Sequence, residues 1–569
     1  MVALDIASVP FSRYGSYLAV SRTSGPSGKG LYLRTVHGRA IPSELLLLEP
    51  VHDGSPMGYA VYANPDVLRL ESSCGWVEIC ISESDAVRLR GEGIGLRLSA
   101  VTTLMDPIIP IGKGPDSWLL NFRVTRVKLL ASMMTGQVTV GTFDGATGGV
   151  SEQICFAPEQ HTNRWEGFLE EFSGAFTLAA QQESFEQCRR KAHDEFADWL
   201  AKTPEVRDGV DGGEDLAVAR ELAAYVNWSA VVRPSGILRR PAMLMSKNWM
   251  TSVWAWDHCF NAMALAMGNP EAAWDQFMLL FDYQDESGGL PDVVNDCQPA
   301  WNYCKPPIHG WALRWMMKHS EAVTVDRLLE AYEPLCRWTR WWMSHRDYNR
   351  NGFAEYTHGN DSGWDNSTVF RHGAPVESPE LCAFLVLQME TLAEVAAVLG
   401  KSEDAGDWRT QAEQLLRSTL ARFWRGDRFV AVKAWDGGDI ESDSLLLFVP
   451  LVLGKRLPED VRQTLVQRLA TGGWLTSYGL ATELPTSEYY EADGYWRGPI
   501  WAPSTMLIVD GLVDAGEDDL ASEIAQRFCH MAAEAGMAEN FDALTGKGLR
   551  DPAYTWTSST FLVLAGMYI

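Results

Sequence analysis

The sequence predicts a multidomain chain: an N-terminal β-sandwich-like domain followed by an all-α (α/α)6 barrel. Three observations carry this expectation. Apolar and polar residues alternate with period two through the first ~180 residues. A Pro/Gly/Asp-rich stretch from Thr203 to Glu214 then breaks the pattern. Beyond it, about twelve segments with helical periodicity are joined by links that are alternately short and long. The expected limits are residues 1–183 for the β-rich domain, 184–214 for a linker helix and loop, and 215–569 for the helical domain.

Taken in order, Leu31 to Val36 and Val77 to Ile81 alternate as half-buried strands do. Arg88 to Arg90, Leu96 to Leu98 and Gln137 to Val140 continue the same period, and Gly and Pro turns separate the short runs. Ser184 to Leu200 is charged, amphipathic and free of Gly, which fits a linker helix. Helices are then expected to start near residues 215, 255, 271, 308, 324, 378, 404, 441, 458, 498, 516 and 555. Short links such as Gly268-Asn269-Pro270 and Gly400-Lys401-Ser402 make hairpins. Long links rich in Gly, Trp, Asp and Asn would gather at one end of a double ring and furnish a site there.

Bulk composition narrows the function. The 569 residues hold 48 Lys plus Arg against 74 Asp plus Glu, a formal net charge of −26. Such a surface repels phosphodiester backbones and anionic lipid, so nucleic acid and membranes are not expected partners. No N-terminal basic-then-apolar leader is visible, and no run approaches ~18 apolar residues, so a cytoplasmic protein is expected. Ten Cys are scattered without paired spacing, as for buried free thiols in a reducing compartment. The 23 Trp include several beside Gly, Asp or Arg, where a ring can stack on a sugar face or simply fill a core.

Two acidic loops carry the chemistry. One runs His358-Gly359-Asn360-Asp361-Ser362-Gly363-Trp364-Asp365-Asn366-Ser367; the other is Ala538-Glu539-Asn540-Phe541-Asp542 with Thr545-Gly546-Lys547-Gly548 after it. Paired carboxylates among flexible backbone and flat rings are the furniture of glycosidic bond cleavage. Flexible backbone at Ser362-Gly363 would let Asp361 and Asp365 approach one small cavity. There, mutual repulsion and the poor solvation beside Trp364 would hold one of them protonated. A solvated polar turn is the plain alternative.

Other segments line up with these. In Trp254-Ala255-Trp256-Asp257-His258, Asp257 either caps a helix or receives two sugar hydroxyls while Trp256 stacks on the ring. Gly288-Gly289-Leu290-Pro291-Asp292 is a turn, and Lys305-Pro306-Pro307-Ile308-His309-Gly310-Trp311-Ala312 opens a helix, with His309 and Trp311 as sugar contacts or as structural groups. Asp347-Tyr348-Asn349-Arg350-Asn351-Gly352 matches the start of a Ca²⁺ loop but has His358 where the bidentate Glu belongs, so a polar turn with no metal is expected, with Ca²⁺ binding there as the alternative. Tyr489 to Trp501 has a loop composition of Tyr, Trp, Arg, Gly and Pro suited to lining a site.

These motifs, in this order over about 300 residues, resemble glycoside hydrolase family 63: W-x-W-D-H at 254–258, G-G-L-P-D at 288–292, P-P-x-H-x-W-A at 306–312, D-S-G-W-D-N-S at 361–367, Y-W-R-G-P-I-W at 495–501 and E-N-F-D-x-x-T-G-x-G with Y-x-W-T within 539–557. The resemblance implies an inverting, exo-acting α-glycosidase on an (α/α)6 barrel, needing no cofactor. It places Asp365 at the general acid, Glu539 at the general base and Asp361 at a supporting acid. Trp256, Asp257, His258, His309, Trp311, Trp364, Tyr495, Trp496, Arg497 and Trp501 fall around the sugar. Inversion requires carboxyls roughly 6.5–9.5 Å apart, leaving room for water. The expected substrate is a small α-linked glucoside or related hexoside. Glucosylglycerate or mannosylglycerate is the alternative, with Lys305, Arg371, Arg497 and Arg550 as candidate cations for an acidic aglycone. A glycoside phosphorylase, which would replace the base with a phosphate pocket, and a non-catalytic sugar-binding protein are the rival readings.

Overall fold

A computed structural model describes every residue except 1, 26, 39–42, 84, 102–107, 112–115, 145–149, 160, 177–182, 208 and 211. It divides into two compact units: Met1–Ala201 with Tyr225–Thr251, and Lys202–Ala224 with Ser252–Ile569.

The first unit is built on two antiparallel sheets. One has the strand order Leu18–Gly25, Gly28–Thr35, Glu44–His52, Gly95–Ala100, Val150–Ala157, Gln137–Asp144. The other runs Ile109–Pro110, Ser117–Phe122, Val127–Thr135, Arg164–Phe172, Ala86–Glu92, Gly75–Ile81, Leu68–Ser72, Ala60–Ala63. Alternation decides which side chains face inward. Leu96 and Leu98 are buried, as are Leu68 and Leu70, while Arg97 and Arg69 between them are partly exposed. Phe156 of the first sheet stacks on Trp165 of the second, with ring centroids 5.8 Å apart.

The expected division at residues 183 and 214 gives way to a different one. The segment read as a linker begins with helix α1 (Phe185–Ala201), which packs on the strands Gly75–Ile81 and Ala86–Glu92. It buries Phe185, Cys188, Ala192, Phe196 and Trp199, a stripe spaced three or four residues apart. Residues 225–251, expected in the helical domain, belong with the sheets for a polar reason. The Lys247 ammonium is buried and donates to Ser12 Oγ at 3.0 Å and the Ser16 carbonyl at 2.6 Å, and burial pushes it down to about 7.

The helical unit follows the expected starts closely. Its helices are α2 (Gly213–Ala230, which continues into the first unit), α3 (Asp257–Ala266), α4 (Pro270–Met278), α5 (His309–His319), α6 (Val325–His345), α7 (Pro379–Val398), α8 (Ser402–Phe423), α9 (Glu459–Thr471), α10 (Ala502–Ala515), α11 (Asp518–Ala535) and α12 (Thr555–Met567). Proline opens the first turn of α4, α7 and α10, where its missing N–H costs no bond. The helix expected near 441 is instead a 3₁₀ segment, Leu445–Arg456, containing Pro450 and Gly454 in a left-handed conformation that no α-helix continues through.

Neighbours close on themselves. α3 packs on α5, α5 on α7, α7 on the 3₁₀ segment, that segment on α10, α10 on α12, and α12 on α3. These elements are apolar nearly all round, and every residue of α3 is buried. Around them α4 lies on α3, α6 and α8 on α7, α9 on the 3₁₀ segment, and α11 on α10 and α12. These outer helices keep one exposed charged face. α7 has the length and mean hydropathy to cross a membrane, although Glu380, Gln388, Glu390 and Glu394 interrupt its apolar runs, and most of it is buried inside this unit.

Every long link leads into an inner element, and every short one leads out of it to an outer helix. The links before α3, α5, α7, α10 and α12 therefore emerge at the same end, together with all the acidic loops. In the Asp347 loop, the carboxylate accepts from the Asn351 and Gly352 amides at 3.0 Å each, and the Asn349 and Asn351 side chains donate to Glu377.

Candidate active site

The link before α7 carries Asp365. Its 3₁₀ turn, Gly359–Ser362, ends at Gly363 with φ +76°, where a Cβ would lie 2.5 Å from the Trp256 ring. Only glycine permits both the left-handed backbone and that approach. Asp365 is half-buried, and burial raises its carboxyl pKa while the charges of Lys305 and His358 pull it down.

Glu539, on the link before α12, is 4% exposed. Its amide donates to the Asp551 carbonyl at 2.7 Å, and its carbonyl accepts from Trp556 Nε1 at 3.2 Å. Burial pushes its carboxyl up to about 7, reinforced by the negative charges of Asp551 and Asp365. Asp365 and Glu539, 174 residues apart (539 − 365), thus act on each other electrostatically.

Asp257, the first residue of α3, completes the acidic set. Burial pushes it up to about 8, with Asp292 and Glu539 adding to the rise. Lys305 stands among these acids. Its ammonium is buried, 3.3 Å from Asp292 Oδ1 and 2.8 Å from the Asn360 carbonyl, and its charge lowers Asp257, Asp292 and Asp365. It is a counter-ion inside the acidic cluster, not a free cation for an aglycone.

Asp361 does not share a cavity with Asp365 as a second titrating acid. It is fully buried, and one oxygen accepts from Arg346 Nη1 at 3.0 Å, Thr357 N at 2.8 Å and Thr357 Oγ1 at 2.7 Å. Burial raises it, but Arg346 and these donors outweigh that and hold it below the ordinary carboxylate range. Its work is to fix the turn that carries Asp365.

The tryptophans also depart from expectation. Trp256, Trp364, Trp496 and Trp501 are buried and packed on one another. Trp364 lies 4.7 Å from Trp496, which stacks flat on Trp501 at 4.1 Å, and Trp501 meets Trp556 edge-on at 5.4 Å. They form a chain of rings from the neighbour of Asp365 to the indole that holds the Glu539 carbonyl. Asn366 locks the chain from the side, accepting from Trp496 N and donating to Gly494 O, both at 2.9 Å.

Three other expected contacts turn away from the acids. His258 is buried, with Nδ1 bonded to the Trp254 carbonyl at 3.0 Å. His309 is buried against Phe281 and Trp338. Both rings are enclosed by the helix packing, 5.1 Å from one another. Trp311 donates to Asp510 at 2.7 Å, beside Arg314 and Arg456 in a separate pocket. Tyr495 stays near the acids: it is half-buried with φ 63°, lies under the Arg550 guanidinium at 4.7 Å, and feels the charges of Asp365, Glu539 and Asp257.

A cavity of about 410 Å³ opens beside Asp365, lined among others by His358, Arg371, Tyr489 and Arg497. The Arg371 guanidinium sits 5.1 Å over the Tyr489 ring, and Arg497 pairs with Glu491 at 2.8 Å. Arg550 pairs with Asp493 at 2.9 Å. Asp292 and Asn366 enter the sequence reading only inside motifs, without a role; a lone polar residue in a Gly-rich loop carries no signal of its own partner.

Raised carboxyls that act on each other electrostatically on the links into a closed set of helices are the equipment of a glycoside hydrolase. Comparison with known proteins agrees: residues 250–557 match the family model described as a mannosylglycerate hydrolase MGH1-like glycoside hydrolase domain. The chain belongs to that family, within glycoside hydrolase family 63. The mannosylglycerate hydrolase of Rubrobacter radiotolerans is 22% identical over 61% of this chain and 96% of its own length. Among solved structures, the mannosylglycerate hydrolase of Thermus thermophilus in complex with Tris and D-glycerate matches with TM-score 0.54 and 20% identity, covering 60% of this chain and 99% of that one. A bacterial glucoamylase complexed with acarbose matches over 99% of this chain and 94% of its own, with TM-score 0.64 and 12% identity. These two show likeness of fold.

Proposed function

We propose that the chain hydrolyses a hexosyl glycerate with inversion, on an (α/α)6 barrel whose inner layer is the closed set α3, α5, α7, the 3₁₀ segment, α10 and α12. The observation that carries the substrate is the cavity beside Asp365, where Arg371 and Arg497 supply cationic donors suited to a carboxylate aglycone. Relatives named as mannosylglycerate hydrolases support the same choice over a neutral glucoside.

In this mechanism Asp365 gives its proton to the glycosidic oxygen. Glu539 takes a proton from a water on the opposite face of the anomeric carbon, and the C–O bond to the glycerate breaks as the new one forms. Asp257 and Tyr495 border the sugar. In the free site Glu539, near 7, holds a proton through weakly acid solution. A glycosidic oxygen at Asp365 accepts a hydrogen bond and a water at Glu539 donates one, so the bound substrate selects the arrangement with the proton on Asp365. The test is a substrate screen: α-mannosylglycerate and α-glucosylglycerate against maltose, trehalose and methyl α-glucoside. Preference for the glycerates is expected, and equal or better turnover of the neutral glycosides overturns the assignment.

A further inference from the structure

Two motif histidines that turn away from the acids meet a cysteine in the interior. His258 and Cys259 lie on the first turn of α3 and His309 begins α5; all three are fully buried. One ligand atom from each lies within 4.8 Å of the other two. His258 donates its Nδ1 proton to the Trp254 carbonyl at 3.0 Å, so the Nε2 lone pair is left for another partner. Cys259 Sγ is 3.7 Å from that Nε2. Neither nitrogen of His309 has a hydrogen-bond partner among the described residues, although the ring lies 5.1 Å from His258. Leaving such a buried polar group unsatisfied is destabilising.

We propose that His258, Cys259 and His309 form a binding site for one d¹⁰ transition-metal ion, Zn²⁺ or Cu⁺, which joins α3 to α5. The donor set fits: two imidazoles and a thiolate suit these ions, and the Trp254 carbonyl fixes the tautomer of His258 as a metal-bound histidine requires. Three atoms at most 4.8 Å apart share a centre within about 2.8 Å of each, against about 2.0–2.3 Å for zinc–nitrogen and zinc–sulfur bonds, so small torsional shifts close the site. Binding releases one proton, from the Cys259 thiol. With Cu⁺ the ligated site is electrically neutral; with Zn²⁺ it carries one positive charge. The ion would pin the start of α3, where Asp257 sits, and takes no part in hydrolysis.

The test is the metal content of the full-length protein, expressed in zinc-supplemented medium or stripped and reloaded anaerobically with Cu⁺. On the order of one ion per chain is expected. Cys259→Ser and His309→Gln, each checked for folding by circular dichroism, should lose it, and Cys336→Ser should keep it. Loading with Co²⁺ gives an independent signature, a thiolate-to-cobalt charge-transfer band absent in Cys259→Ser. Should those substitutions disturb folding, the wild-type measurement still decides. Wild-type protein that retains neither ion and shows no such band overturns the proposal, as does full retention by folded Cys259→Ser.

Discussion

Replacing Glu539 by Gln should stabilise the protein above neutral pH while abolishing most of its activity. Burial and the charges of Asp551 and Asp365 raise this carboxyl from its ordinary 4.5 to about 7. The folded state therefore keeps a proton that the unfolded chain releases near 4.5. The stability linked to that proton is fully present below 4.5 and is lost as pH rises through about 7. A rise of this size corresponds to about 3 kcal/mol at 1.36 kcal/mol per pH unit. The amide in the Glu539→Gln variant has no proton to release, so the stability difference between variant and wild type should shift by about 3 kcal/mol in favour of the variant between pH 4 and pH 8. Urea unfolding followed by tryptophan fluorescence across that range measures it. A difference that stays constant with pH refutes the buried, raised carboxylate. Removing the base should also cut kcat roughly 10²–10⁴-fold, and near-native turnover refutes the assignment outright.

Four further outcomes follow from the same structure. Asp365→Asn should lower kcat by a similar factor, measured with the best glycerate substrate, because it removes the proposed proton donor. For the wild type, kcat/KM should fall as pH rises past about 7, where Glu539 loses its proton and the pair no longer holds one to transfer to Asp365; a profile flat from pH 6 to 9 contradicts this. Arg346→Met should destabilise the protein by about 3–5 kcal/mol in denaturant unfolding, because it leaves the buried Asp361 charge unpaired. Arg371→Gln should raise KM for glycerate glycosides and leave that of a neutral aryl glycoside unchanged if the guanidinium meets the aglycone.

Much of the helical layout is legible because helix starts are written locally. Pro270, Pro379 and Thr324 mark three of them within a residue or two of their observed positions. The 3₁₀ segment reads as a helix since Leu445 to Leu453 has helical hydrophobicity, and only the context of Pro450 and Gly454 forbids it. The acidic loops are legible from their Gly, Asn and Trp content. What escapes is direction. A tryptophan in a loop looks available for a ligand, yet the links before inner helices are themselves packed, so Trp364, Trp496 and Trp501 spend their faces on one another. Likewise no local signal separates Asp361, held by Arg346 fifteen residues earlier, from Asp365, which opens on the cavity. The boundary near residue 201 is hidden because Lys247 binds residues more than two hundred positions away.

Proton NMR of the first minutes of hydrolysis of an α-linked glycerate substrate tests the central claim, the opposed action of Asp365 and Glu539, most directly. The β-anomer of the free hexose should appear first and then mutarotate, since water attacks from the Glu539 side. Initial release of the α-anomer would contradict it.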